Sequence, residues 1–123
     1  MKEVDYYTGF EGEPEMVFSL MDSKGTPLHV VRCWIGYFDQ IMQEIVPGPS
    51  GEWEGMSLHY AMITGWRERS LWVCDCADLY LEQLKRIRPD KLEKDAVRVL
   101  ASLIGLLQDF AETFGAVLVV SEE

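Results

Sequence analysis

Leu92, Ala96, Val99, Leu100, Leu103, Leu107, Phe110 and Phe114 recur at helical spacing and stop at Gly115. This stripe predicts one long helix with a single buried face, which needs a sheet or a second helix to cover it. Acids gather near its predicted start at Asp90, where the helix dipole favours them. Its complement follows at once. Ala116-Val117-Leu118-Val119-Val120 is a continuous apolar run, read as a terminal strand in an inner position, buried on both faces.

The elements upstream supply the rest of a layered domain. Met16–Met21 and Leu28–Trp34 are β-rich and flank the turn material Asp22-Ser23-Lys24-Gly25-Thr26-Pro27, which predicts a hairpin. From Ile35 to Val46 the apolar residues Ile35, Phe38, Ile41, Met42 and Ile45 mark a one-faced helix, ended by Pro47-Gly48-Pro49. Alternation in Met56–Thr64 predicts a half-buried strand, with Leu71–Cys74 a short strand paired back after the turn Gly65–Ser70. Asp75 or Asp78 caps a helix carrying Leu79, Leu81, Leu84 and Ile87, which Pro89 separates from the long one. The expected order is β-β-α-β-β-α-α-β. Residues 1–123 then form one α+β domain, a mainly antiparallel sheet with helices packed on one face. Residues 1–15 are expected to be a partly flexible acidic segment in which Tyr6, Tyr7 and Phe10 can dock on the body.

Charge narrows the function classes. With 11 Lys+Arg against 21 Asp+Glu, the formal net charge is −10. Nucleic-acid binding is disfavoured, because phosphate contacts need a surplus of Lys and Arg. A membrane surface is disfavoured by the same sign. Hydrophobic content of 48% and aromatic content of 11% exclude a disordered acidic tail. The N-terminal residues have no apolar run of the kind a secretory signal requires, and three cysteines fit no closed disulfide framework. A cytoplasmic protein with reduced thiols is the expectation.

No catalytic motif stands out. Cys74-Asp75-Cys76 lacks a second pair of soft ligands at metal spacing, so no metal is expected and the thiols read as small buried hydrophobes. There is no nucleophile elbow, and Gly9-Phe10-Glu11-Gly12 has the wrong sign for a phosphate loop. No cofactor is expected either.

The placement of charge says more. Residues 3–66 hold ten acids against two bases, Lys24 and Arg32. Lys85, Arg86, Arg88, Lys91, Lys94 and Arg98 gather instead at the junction of the last two helices. Such a field speeds encounter with a cationic partner. Trp53 lies between Glu52 and Glu54, and Trp66 follows Gly65 in a charged turn. An indole ringed by carboxylates is the composition of a binding hot spot. Trp34 and Trp72, in β runs, read as core.

The segment Met56–Ile87 resembles a stretch recurrent in small bacterial immunity proteins: strand, Gly65-Trp66, charged turn, Leu71-Trp72-Val73, acid, then a helix ending Leu81-Glu82-Gln83-Leu84-Lys85-Arg86-Ile87. These are the cytoplasmic antidotes of contact-dependent growth-inhibition and other polymorphic toxins. The resemblance spans about a quarter of the chain. It implies a non-enzymatic protein that binds and neutralises a toxin's C-terminal domain, commonly a basic nuclease. The expected interface residues are Asp39, Glu44, Glu52, Trp53, Glu54, Trp66 and Glu68, the carboxylates pairing with toxin Lys or Arg and the indoles filling pockets. Two other readings stand beside this one. The first is an adaptor or regulatory homodimer joined through the long helix, with Leu106 as an exposed apolar contact. The second is a small enzyme using Cys33 or Cys74 with His59.

Overall fold

Five strands make one sheet among the described residues, 1–45, 55–56, 71–74 and 76–123 of the computed structural model. They are β1 (Lys2–Tyr6), β2 (Glu15–Met21), β3 (Pro27–Trp34), β4 (Leu71–Val73) and β5 (Val117–Glu122). Their order across the sheet is β1-β3-β2-β5-β4. The β1–β3 pair is parallel, and the remaining pairs are antiparallel. The expected hairpin is β2–β3. Asp22 closes its turn, Oδ1 accepting the N–H groups of Lys24 and Thr26, each at 2.9 Å.

Three helices are described: α1 (Ile35–Gln43), α2 (Ala77–Lys85) and α3 (Lys94–Glu112), with a 3-10 turn at Pro89–Lys91. α1 and α3 pack on one face of the sheet, and α2 packs on α3. Phe18, Leu20, Val31, Cys33, Leu118 and Val120 from the strands meet Phe38, Ile41, Val99, Leu103 and Leu107 from the helices in one core. Each large side chain so buried is worth roughly 1.5–3 kcal/mol relative to exposure. Trp72 belongs to this core, and its indole N–H donates to the Tyr80 hydroxyl at 2.8 Å, tying β4 to α2. Among the described residues no helix is long and apolar enough to cross a membrane.

The α+β class and the one-faced helical layer match expectation, but the element order does not. An extra strand, β1, precedes the hairpin, so residues 1–15 begin with an ordered edge strand. Only Val4 and Tyr6 of β1 are apolar, and Tyr6 is tied to α3 by a 2.9 Å hydrogen bond between its hydroxyl and Ser102 Oγ. At the other expected strand, 56–64, Gly55 and Met56 are helical, and residues 57–64 lie outside the described residues. Met56 N–H donates to buried Gln83 Oε1 at 2.9 Å.

β5 does take an inner position, between β2 and β4, but it is not buried on both faces. Leu118 is 1% exposed and Val117 38%, since the described helices pack on the Leu118 side. The long helix starts at Lys94 instead of Asp90, since Pro89 seeds a separate 3-10 turn and Leu92 is extended. It ends at Glu112, and the turn through Gly115 (φ +75°) leaves Phe114 fully exposed, outside the predicted stripe. Leu106 is 1% exposed. Helices on two sides and the sheet beneath bury more of α3 than one stripe, which removes Leu106 as an exposed dimer contact.

Candidate functional site

The outward face of the sheet near the start of β2 gathers carboxylates around one guanidinium. Arg32 projects from β3 to this side, opposite the core-facing Val31 and Cys33. Its Nε donates to Glu3 Oε1 at 2.9 Å and its Nη1 to Glu15 Oε1 at 3.3 Å. The register places Asp5 directly beside Arg32 on β1. Glu123 joins through the end of the β2–β5 ladder, where Glu15 and Glu123 exchange backbone N–H···O bonds of 2.9 and 2.8 Å. Glu3, Asp5 and Glu15 thus share one cation, with Glu123 beside Glu15.

Their titration follows the geometry. Burial pushes the Glu15 carboxyl above its ordinary range, against the pull of Arg32, and the charges of Glu123 and Asp5 add to the rise. Asp5 moves the other way. The Thr8 hydroxyl donates to Oδ2 at 2.5 Å, and the N–H groups of Tyr7 and Thr8 donate to Oδ1 at 2.6 and 3.1 Å. The Thr8 hydroxyl leads in holding that carboxyl below the usual range, with the backbone donors adding to it.

An aromatic cluster sets the height of the acidic loop that follows. Phe10 stacks on Trp34 with centroids 4.4 Å apart and planes 4° from parallel, and Tyr37 meets both rings edge-on at 5.5 and 5.2 Å. Gly36 makes room for the indole: a Cβ there would lie 2.4 Å from the ring. The Trp34 Nε1–H is buried and has no hydrogen-bond partner among the described residues, where stacking holds the ring. Tyr7 closes the loop by donating its hydroxyl to the Glu13 carbonyl at 2.6 Å. The result brings exposed Glu11 and Glu13 to the same end of the sheet as Glu15. On the helical side Tyr37 donates to Asp95 Oδ2 at 3.3 Å. Burial first, then the charge of Asp95, raises the Tyr37 hydroxyl's pKa and keeps it a donor.

Of the expected interface residues, Asp39 and Glu44 lie on and just beyond α1, both half-buried. Asp39 is close enough to the end of β3 that its charge, with that of Glu15, acts on the Cys33 thiol. Glu44 caps the far end of α1, its N–H bonded to the carbonyls of Ile41 and Met42. Glu52, Trp53, Glu54, Trp66 and Glu68 lie outside the described residues. An aromatic with an acidic rim, the pattern expected of Trp53, is present at Trp34 and Phe10. Glu3, Asp5 and Arg32 are plain in the sequence, but only the register of β1 on β3 brings them to one face.

Cys33 is fully buried. That burial, then the charges of Glu15 and Asp39, push its thiol far above the ordinary range, the reverse of nucleophile activation. Cys74 is buried and Cys76 half-buried at the start of α2. His59 lies outside the described residues. Among the described residues no group of three or more His, Cys, Asp or Glu is placed to hold a metal ion. Comparison with protein-family models, with curated proteins and with solved structures finds no match to this chain.

Proposed function

We propose that this chain is a non-enzymatic, cytoplasmic immunity-type protein that binds and neutralises a cationic toxin domain through its acidic sheet end. The observation that carries this reading is the set of Glu3, Asp5 and Glu15 around Arg32, with Glu123 beside Glu15 and exposed Glu11 and Glu13 in the adjoining loop. Such a surface has unmet negative charge, and a Lys- or Arg-rich partner relieves it while being steered in. The stacked Phe10 and Trp34, half-buried at the same end, offer an apolar centre inside that rim. The resemblance of Met56–Ile87 to immunity proteins points to the same kind of partner.

Co-expression tests it. The C-terminal domain of the protein encoded directly upstream should arrest growth alone and be harmless beside this chain. A domain that arrests growth equally with and without the chain would end the immunity reading.

A further inference from the structure

A second surface, between β1 and α3, is lined by two cations, Lys2 and Arg98. β1 is the outermost strand beside β3, and among the described residues no strand pairs with its other edge. An unpaired edge is a row of open backbone donors and acceptors. Two contacts fix how α3 runs along it. Tyr6 reaches Ser102, and His29, the register partner of Lys2, holds Asp109 Oδ2 through Nδ1 at 2.7 Å. α3 is therefore antiparallel to β1, with its Asp109 end beside Lys2 and Arg98 a turn beyond Ser102, at the Tyr6 end.

Between them lies a groove of about 340 Å³ with His29 in its floor. Val4 forms one wall and Gly105 the other, and a Cβ on Gly105 would meet nothing within 4 Å. Lys2 and Arg98 line its two ends. Both are exposed, and neither makes an ion pair with a described residue, whereas Arg32, Arg86 and Arg88 each pair with a carboxylate.

The spacing selects the ligand. Lys2 to Tyr6 spans roughly 13 Å at about 3.3 Å per residue, and Arg98 to Asp109 roughly 16 Å of helix at 1.5 Å per residue. A small anion cannot span that backbone length. An extended chain laid along β1 can, because its side chains at i and i+4 fall on one face about 13 Å apart. We infer that this groove takes an extended acidic segment of a partner protein, added as a strand on β1. Its carboxylates at i and i+4 meet Lys2 and Arg98, and a small residue at i+2 sits over Val4 and Gly105. Main-chain bonds to the edge supply affinity and the alternate side chains supply selectivity. A second copy of this chain fits poorly: antiparallel pairing of β1 with itself about Val4 sets Glu3 against Asp5 twice, like charge on like.

Titration calorimetry on the full chain with a capped Val-Glu-Val-Ser-Val-Glu-Val peptide tests this. Saturable one-to-one binding is expected. Replacing both Glu by Gln in the peptide, or introducing Lys2→Glu with Arg98→Glu in the protein, should each weaken it about tenfold or more. Both sites are exposed, and Lys2→Gln with Arg98→Gln gives the same direction should the reversal perturb folding. A peptide N-methylated along one edge should not bind. No binding by the parent peptide overturns the inference, as does equal binding by the Gln peptide or by the protein variants. So does unchanged binding by the N-methylated peptide, or full displacement by glutarate at equal concentration, which would mean an anion site and not a strand site.

Discussion

Phe10 lies flat on Trp34, ring centroids 4.4 Å apart, and that stack holds the loop bearing Glu11 and Glu13 against the end of the sheet. Phe10→Ala removes the stack and the edge contact to Tyr37 together. Because both stacked rings are half-buried, a loss of about 1–3 kcal/mol is expected in urea unfolding. Amide exchange should rise in residues 7–14 before it rises in β2 or β3.

Gly36 is required by the same ring. Gly36→Ala places a Cβ 2.4 Å from the Trp34 indole, at the rigid end of a stacked side chain. The indole must move off Phe10, at about 1–3 kcal/mol, and tryptophan fluorescence should report a more solvated environment. Unchanged stability and emission would show that the ring yields freely.

Asp5 and Glu15 should titrate in inverted positions, Asp5 below the usual carboxylate range and Glu15 above it. The signs for stability follow by linkage. The depressed Asp5 contributes stability that is present above its unfolded value and lost as pH falls through the folded one. The raised Glu15 contributes stability that is present below its unfolded value and lost as pH rises through the folded one. Carboxyl-carbon NMR titration measures both. Two coincident curves in the ordinary range would contradict the Thr8 bond and the burial as causes.

Cys33 should resist iodoacetamide in the native protein at neutral pH, since it is buried and its thiol is held protonated. Cys76, half-buried at the start of α2, should react first. Mass spectrometry of the alkylated native protein gives the order. Early labelling of Cys33 would refute it.

How much of this was legible in the sequence depends on how local the signal is. The β2–β3 hairpin, α1 and the long helix show strong periodicity and clear turn residues, and they appear where expected within a few positions. β1 is not legible that way: three of its five residues are charged, and it becomes a strand only because β3 offers an edge and Ser102 a partner for Tyr6. Leu106 and Phe114 show the same limit from the other side. Helical spacing sets Phe114 on the buried stripe and Leu106 off it. Yet the chain turns at Gly115 before Phe114 can pack, and flanking helices bury Leu106. The charge asymmetry was readable as a sum, but its focus on Arg32 needed the register of β1, β2 and β3.

In the function proposed above, the acidic sheet end steers in a cationic partner. The most direct test of that steering is the association rate constant with the proposed partner, the C-terminal domain of the protein encoded directly upstream, measured by stopped flow across ionic strength. Wild type is compared with Glu11→Lys/Glu13→Lys, two exposed positions in the docked loop. The wild-type rate should fall steeply with salt, and the variant should be about tenfold slower at low salt with a flatter dependence. Equal rates for the two proteins, with the same dependence on salt, would contradict it.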